Sequence, residues 1–127
     1  MKQVKILNFW QSTVWFIAIL YLSFAPKQSF STSLELFPHQ DKVIHISMYV
    51  ILTLLFLKNM QTIRFVSIKN LWLIGFLIIS TSLAIEILQP ILSNRSSEFL
   101  DLVSNSVGVF TGSWLFLKIL RINNSHF

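Results

Sequence analysis

LWLIGFLIISTSLAIEILQPIL (Leu71–Leu92) is long and apolar enough to cross a bilayer as a helix, and its single charged group is Glu86. A spanning helix needs roughly 20 mostly apolar residues. A carboxylate inside such a run is rare and expensive unless it is paired or used. This stretch therefore sets two expectations: a membrane-spanning helix, and a polar site near its Glu86 end.

The rest of the chain agrees with the first expectation. Of 127 residues, 54% are hydrophobic and 12% charged, with mean hydropathy +0.66. Soluble domains carry roughly 25% charged residues. Three further apolar runs flank the first: Ile6–Pro26, Val43–Leu57 and Phe99–Leu117. The Val43 run reaches spanning length if its helix begins near His39 or Gln40. The fold expected is all-α, a small bundle of four transmembrane helices at approximately 6–25, 40–58, 70–91 and 97–118, forming one domain over 1–127. The Ile6 run follows Lys2 and Lys5 as a signal peptide does, but it lacks a small-x-small cleavage site before Pro26 and is read as a retained helix. Pro26 ends that helix, and Pro90 ends or kinks the third. Ser96 or Ser97 is expected to cap the fourth. The outer loop, Lys27–Gln40, is expected to lie in the interface as a short lid.

Lys and Arg distribution sets the orientation. Lys2, Lys5, Lys58, Arg64, Lys69, Lys118 and Arg121 fall on one side, and Lys27, Lys42 and Arg95 on the other. Both termini are then cytoplasmic, in a multi-pass protein of a bacterial plasma membrane, with Trp10 and Trp72 near the inner interface. The acids Glu35, Asp41, Glu86, Glu98 and Asp101 all fall in the outer half. The net charge of +5 is dispersed over helix ends, which argues against nucleic acid as a partner. Cysteine is absent, excluding disulfides, thiol catalysis and Cys-ligated zinc.

Helical spacing gathers the polar groups into stripes. Asp41, His45 and Tyr49 share one face; Ser82, Glu86 and Gln89 share another; Asp101, Asn105, Gly108 and Gly112 share a third. Lipid satisfies none of their polar groups, so the three stripes are expected to face one another.

Taken in order, Asp41-Lys42-x-x-His45, Glu86-x-x-Gln89, Arg95-Ser96 and Asp101-x-x-x-Asn105-x-x-Gly108-x-x-x-Gly112 resemble the VanZ-like family of bacterial membrane proteins. The resemblance spans Asp41 to Gly112. It departs from the family pattern at Pro90, where a bulky apolar residue is more frequent, and at Asn94, where a glycine often precedes the arginine. The resemblance implies a plasma-membrane protein of a family named for a member linked to lowered teicoplanin susceptibility. It implies no particular reaction.

Each candidate residue admits a structural and a functional reading. Asp41 and His45 form either a helix-end ion pair or a unit in which Asp41 orients a proton-shuttling imidazole. Lys42 either snorkels to the interface or binds phosphate. Glu86 is either paired with Arg95 or His45, or acts as acid, base or ligand contact. Gln89 hydrogen-bonds across the bundle. Arg95 either bridges to Asp101 or Glu98, or offers a planar fork to a carboxylate or phosphate. Asp101 balances a helix dipole and Asn105 joins helices, or both, with Gln89, contact the ligand. Gly108 and Gly112 serve close packing within the chain, or contact between copies in a homo-oligomer. The spacing of His39, Asp41, His45, Glu86 and Asp101 matches no standard zinc signature, so neither metal nor cofactor is expected. Three functions remain open. One is binding of an amphiphile with an anionic or peptide head group, such as a lipid-linked cell-wall precursor or a glycopeptide. Another is an interfacial enzyme with His45, Glu86 and Asp101 as catalytic candidates. The third is a structural protein acting through partner contacts.

Overall fold

The computed structural model describes residues 9–26, 36–63 and 66–124. Four helices follow one another: α1 Trp10–Phe24, α2 Gln40–Ile63, α3 Ile68–Leu92 and α4 Phe99–Asn124. Three contain stretches long and apolar enough to span a membrane, Gln40–Thr62, Ile68–Leu92 and Phe99–Leu120. The described part of α1 is shorter, at 15 residues. Ile6–Asn8, expected to extend it, and residues 27–35 of the lid expected at Lys27–Gln40 lie outside the described residues.

Helix boundaries follow local chemistry. His39 adopts a left-handed conformation (φ 63°), and the Gln40 side chain accepts from the Leu36 amide at 2.8 Å, so the chain turns sharply into α2. At its other end α2 continues past the expected stop at Lys58 to Ile63. Asn59 explains the extension: it is buried, and its Nδ2 donates to Ser12 Oγ on α1 at 2.9 Å. Ser67 caps α3 by accepting from the Asn70 amide. Pro90 does not end α3 at once; the helix carries it and stops two residues later, at Leu92. Pro90 does remove the N–H that an ordinary helix would offer to the Glu86 carbonyl. α4 begins at Phe99, so Glu98, rather than Ser96 or Ser97, immediately precedes it.

The burial pattern is that of a protein in lipid. Trp10, Ile17, Trp72, Phe76, Ile87, Phe110 and Trp114 point outward, while the described interior holds as many polar as apolar buried residues, ten of each. Apolar packing forms two tiers. One joins Ile19, Tyr49, Leu52 and Val109; the other joins Leu57, Leu71, Ile74 and Phe116.

The closest helix pair is α2 with α4, and glycine makes it possible. A Cβ on Gly108 would stand 2.6 Å from the Ile46 carbonyl oxygen and 2.8 Å from Tyr49 Cβ. One on Gly112 would stand 2.9 Å from both Thr53 Cβ and the Val50 carbonyl oxygen. The GxxxG face is therefore filled from within the chain, which is how small residues bring transmembrane backbones together. A second copy cannot use that face without displacing α2. The contacts climb both helices in the same direction, Lys42 with Asp101, His45 with Asn105, Tyr49 with Gly108 and Thr53 with Gly112, so α2 and α4 run parallel.

Gly108→Ala and Gly112→Ala should each lower stability in detergent by about 1–3 kcal/mol, through overpacking against backbone. Gly75→Ala is the control. Its Cβ would meet only Val109 Cγ1, at an ordinary 3.6 Å, and the change should be neutral or stabilising by up to about 1 kcal/mol. Thermal unfolding of the three variants checks the ranking.

Candidate functional site

Just beyond the Gly108 contact, the parallel stripes of α2 and α4 meet the Ser82–Gln89 stripe of α3. Asn105 is the hub. It is 1% exposed; its Oδ1 faces His45 Nδ1 at 2.9 Å and its Nδ2 donates to Ser82 Oγ at 2.7 Å. Because Oδ1 is an acceptor, the neutral imidazole carries its hydrogen on Nδ1, which leaves Nε2 as an acceptor. The orienting role expected of Asp41 thus falls to Asn105, and Asp41 turns instead to Lys42, 3.0 Å away.

Lys42 is held by partners within the chain. Its ammonium lies among three carboxylates, bonding Asp101, Glu98 at 2.6 Å, and Asp41. Asp41, Glu98 and Asp101 come close enough together to hold a cation, and the lysine supplies that positive charge from inside the chain. Asp101 is the buried member of the set, whereas Glu98 and Asp41 are much more exposed. Solvent-screened pairs contribute little, so the Lys42–Asp101 contact dominates energetically.

Arg95 and Gln89 do a different job. The last carbonyls of any helix lack donors from their own helix. In α1 these include Leu22 and Ser23. Arg95 Nη1 donates to the Leu22 carbonyl at 2.8 Å, and Gln89 Nε2 to the Ser23 carbonyl at 3.0 Å. Together they cap α1, with a cation where the helix dipole favours one. The Trp15 indole adds a third tie by donating to the Met48 carbonyl at 2.9 Å.

Glu86 stands apart. It is 5% exposed, and neither carboxylate oxygen has a hydrogen-bond partner, although Asp101, Lys42, Arg95 and Asn105 are all near enough to act on its charge. The pairing with Arg95 or His45 anticipated from sequence does not form as a hydrogen bond. Gln89 Oε1, one turn away on the same face, is likewise buried without a partner. Its orientation is chemically determined: the Ser23 carbonyl only accepts, so the amide nitrogen must face it.

An apolar cavity of about 310 Å³ lies beneath this polar chamber. Phe16 of α1, Tyr49 and Leu52 of α2, and Ile78 and Thr81 of α3 line it, and it extends past Ser12 and Phe56 toward the other end of the bundle. Tyr49 forms the boundary. It belongs to the cavity wall and also sits one turn from His45, with Ser82 of α3 near its hydroxyl.

Of the residues anticipated from sequence, Lys42, His45, Glu86, Asp101 and Asn105 gather in one chamber, with Asp41, Gln89 and Arg95 at its margins. His39 is exposed on the turn before α2 and takes no part. The sequence reading passed over Ser12 and Asn59, a buried pair that joins α1 to α2. The signal was available, since Ser12 interrupts an apolar run and Asn59 lies two residues beyond a segment judged too short.

Architecture and site together define a helical membrane protein with a polar chamber at one end of its bundle. The chain matches VanZ/LLP1 over residues 4–121, nearly its whole length, and belongs to that family. No curated protein and no solved structure matches it.

Lys42→Met should destabilise the protein by about 3 kcal/mol or more, because it leaves the Asp101 carboxylate buried and unpaired. Lys42→Met with Asp101→Leu should recover much of that loss. Thermal unfolding of both single variants and the double variant closes the cycle; a double variant as weak as the sum of the singles would contradict the pairing.

Proposed function

We propose that this protein is a four-span protein of the bacterial plasma membrane, with both termini cytoplasmic, that binds an amphiphilic molecule of the cell envelope. The head occupies the outward-facing chamber around Glu86, His45 and Asn105. The hydrocarbon chain descends past Tyr49 into the apolar cavity. One observation carries the proposal: the same bundle holds buried, unpartnered polar groups and an apolar cavity, and Tyr49, one turn from His45, stands in the cavity wall. Ligand pockets commonly combine roughly 300–1,000 Å³ of apolar space with a few fixed polar groups, and this cavity falls at the lower end of that range. Membrane lipid itself, a lipid-linked wall precursor and a glycopeptide bearing an acyl chain all have the required two-part shape. The cations anticipated as anion receptors are already engaged, Lys42 by carboxylates and Arg95 at a helix end. Head-group recognition therefore centres on the acceptors.

A second reading is an enzyme at the membrane interface with His45 and Glu86 as proton-transfer groups. The Asn105-held imidazole favours it, since fixing one ring nitrogen leaves the other with a defined role.

Gentle purification should retain a bound amphiphile, detectable by native mass spectrometry and identified after organic extraction. Thr81→Trp, which fills the cavity from its exposed rim, should lose that molecule while keeping the wild-type helical content. Retention of equal amounts by the variant, or a wild type that carries none, refutes the proposal. A chemically altered lipid in extracts from producing cells, absent with Glu86→Gln, identifies the enzyme instead.

A further inference from the structure

The chamber has a marked imbalance between donors and acceptors. Its principal donor groups each have at least one partner: the Lys42 ammonium the carboxylates, Arg95 Nη1 the Leu22 carbonyl, the Gln89 amide the Ser23 carbonyl, and the Asn105 amide Ser82. Among the described residues four buried side-chain atoms lack partners: the Thr53 hydroxyl, two turns below His45 beside Gly112, and, in the chamber itself, three acceptors, both oxygens of Glu86 and Oε1 of Gln89. Glu86 and Gln89 are three residues apart on α3, so their side chains share a face. Both are more than nine-tenths buried. Buried polar atoms without partners are unusual and point to a group that arrives from elsewhere. His45 Nε2 adds a further acceptor at the half-buried edge of the same chamber.

We infer that the chamber recognises a primary ammonium head group, held by Glu86 and Gln89 and carried on a hydrocarbon chain that lies in the adjoining cavity. The inference rests on the amphiphile-binding proposal and specifies its head group. A primary ammonium has three N–H donors and no acceptor. Three donors match the two Glu86 oxygens and Gln89 Oε1. Its positive charge also matches the local field, in which Glu86 adjoins Asp101 and neither neighbouring cation is hydrogen-bonded to it. A phosphate head group brings only acceptors and negative charge, and it would meet two carboxylates. A quaternary ammonium has the right charge but no donor. The expectation of an anionic head group, drawn from the presence of Arg95 and Lys42, is thereby reversed.

Three amphiphiles of equal chain length separate these chemistries: dodecylamine, dodecyltrimethylammonium and dodecyl phosphate. Each is titrated into the protein in nanodiscs of zwitterionic phosphatidylcholine, and thermal unfolding is followed through the four tryptophans. Dodecylamine should raise Tm by about 5 °C at concentrations where the other two produce little change. It should also bind about tenfold more tightly than either. Glu86→Gln keeps the side-chain shape and should abolish the amine preference while leaving chain-dependent stabilisation. Gln89→Met provides a second arm with a partial loss should Glu86→Gln fail to fold. Equal stabilisation by dodecyl phosphate, or a preference unchanged in Glu86→Gln, overturns the head-group assignment and leaves amphiphile binding standing. No stabilisation by any of the three overturns both.

Discussion

Everything else in this bundle depends on how closely α4 approaches α2. Two glycines one turn apart remove the side chains that would hold the backbones away, and the parallel direction of the pair does the rest. Each turn from Gly112 back toward the start of α4 meets the matching turn of α2: Gly108 against Tyr49, Asn105 against His45, Asp101 against Lys42. In lipid no hydrophobic force draws two apolar helices together. Close backbone packing and interhelical hydrogen bonds must supply the association, and here one contact face provides both. If the glycine contact opened by even a methyl group, the 2.9 Å His45–Asn105 contact would be among the first to lengthen.

The polar groups that remain divide by task. Arg95 and Gln89 complete the carbonyl end of α1, so two residues that look like ligand contacts in isolation hold a helix in place. Lys42 neutralises a carboxylate cluster that would otherwise call for an external cation. Subtracting those structural roles leaves Glu86 and the oxygen of Gln89 without an internal explanation. Gln89 belongs to both groups, since its nitrogen is structural and its oxygen is unaccounted for. A substitution there disturbs the α1 end and the chamber together.

Much of this was legible in the sequence, and the limits have physical causes. Apolar run length located α2, α3 and α4, and helical spacing identified the three polar stripes, because period and length are local properties. Partner choice was not legible. Asp41 and His45 share a face by spacing, yet Asn105, sixty residues away, holds the imidazole. Side-chain spacing along one helix says nothing about which neighbour lies closer. Arg95 was read as a partner for side chains, but its hydrogen bond goes to a backbone carbonyl, and backbone acceptors leave no mark in composition. The C-terminal end of α2 was set too early because the apolar run stops at Lys58. Asn59 is instead buried against Ser12.

The parallel α2–α4 pair also has a temporal consequence. Its two members are separated in the chain by all of α3, so they cannot meet while the protein is still emerging in order. Until α4 enters the bilayer, Lys42 has only Asp41 beside it, His45 lacks Asn105, and the face around Tyr49 is uncovered. α4 therefore acts as the keystone of the nascent bundle, and the chamber comes into being only once that helix is in place.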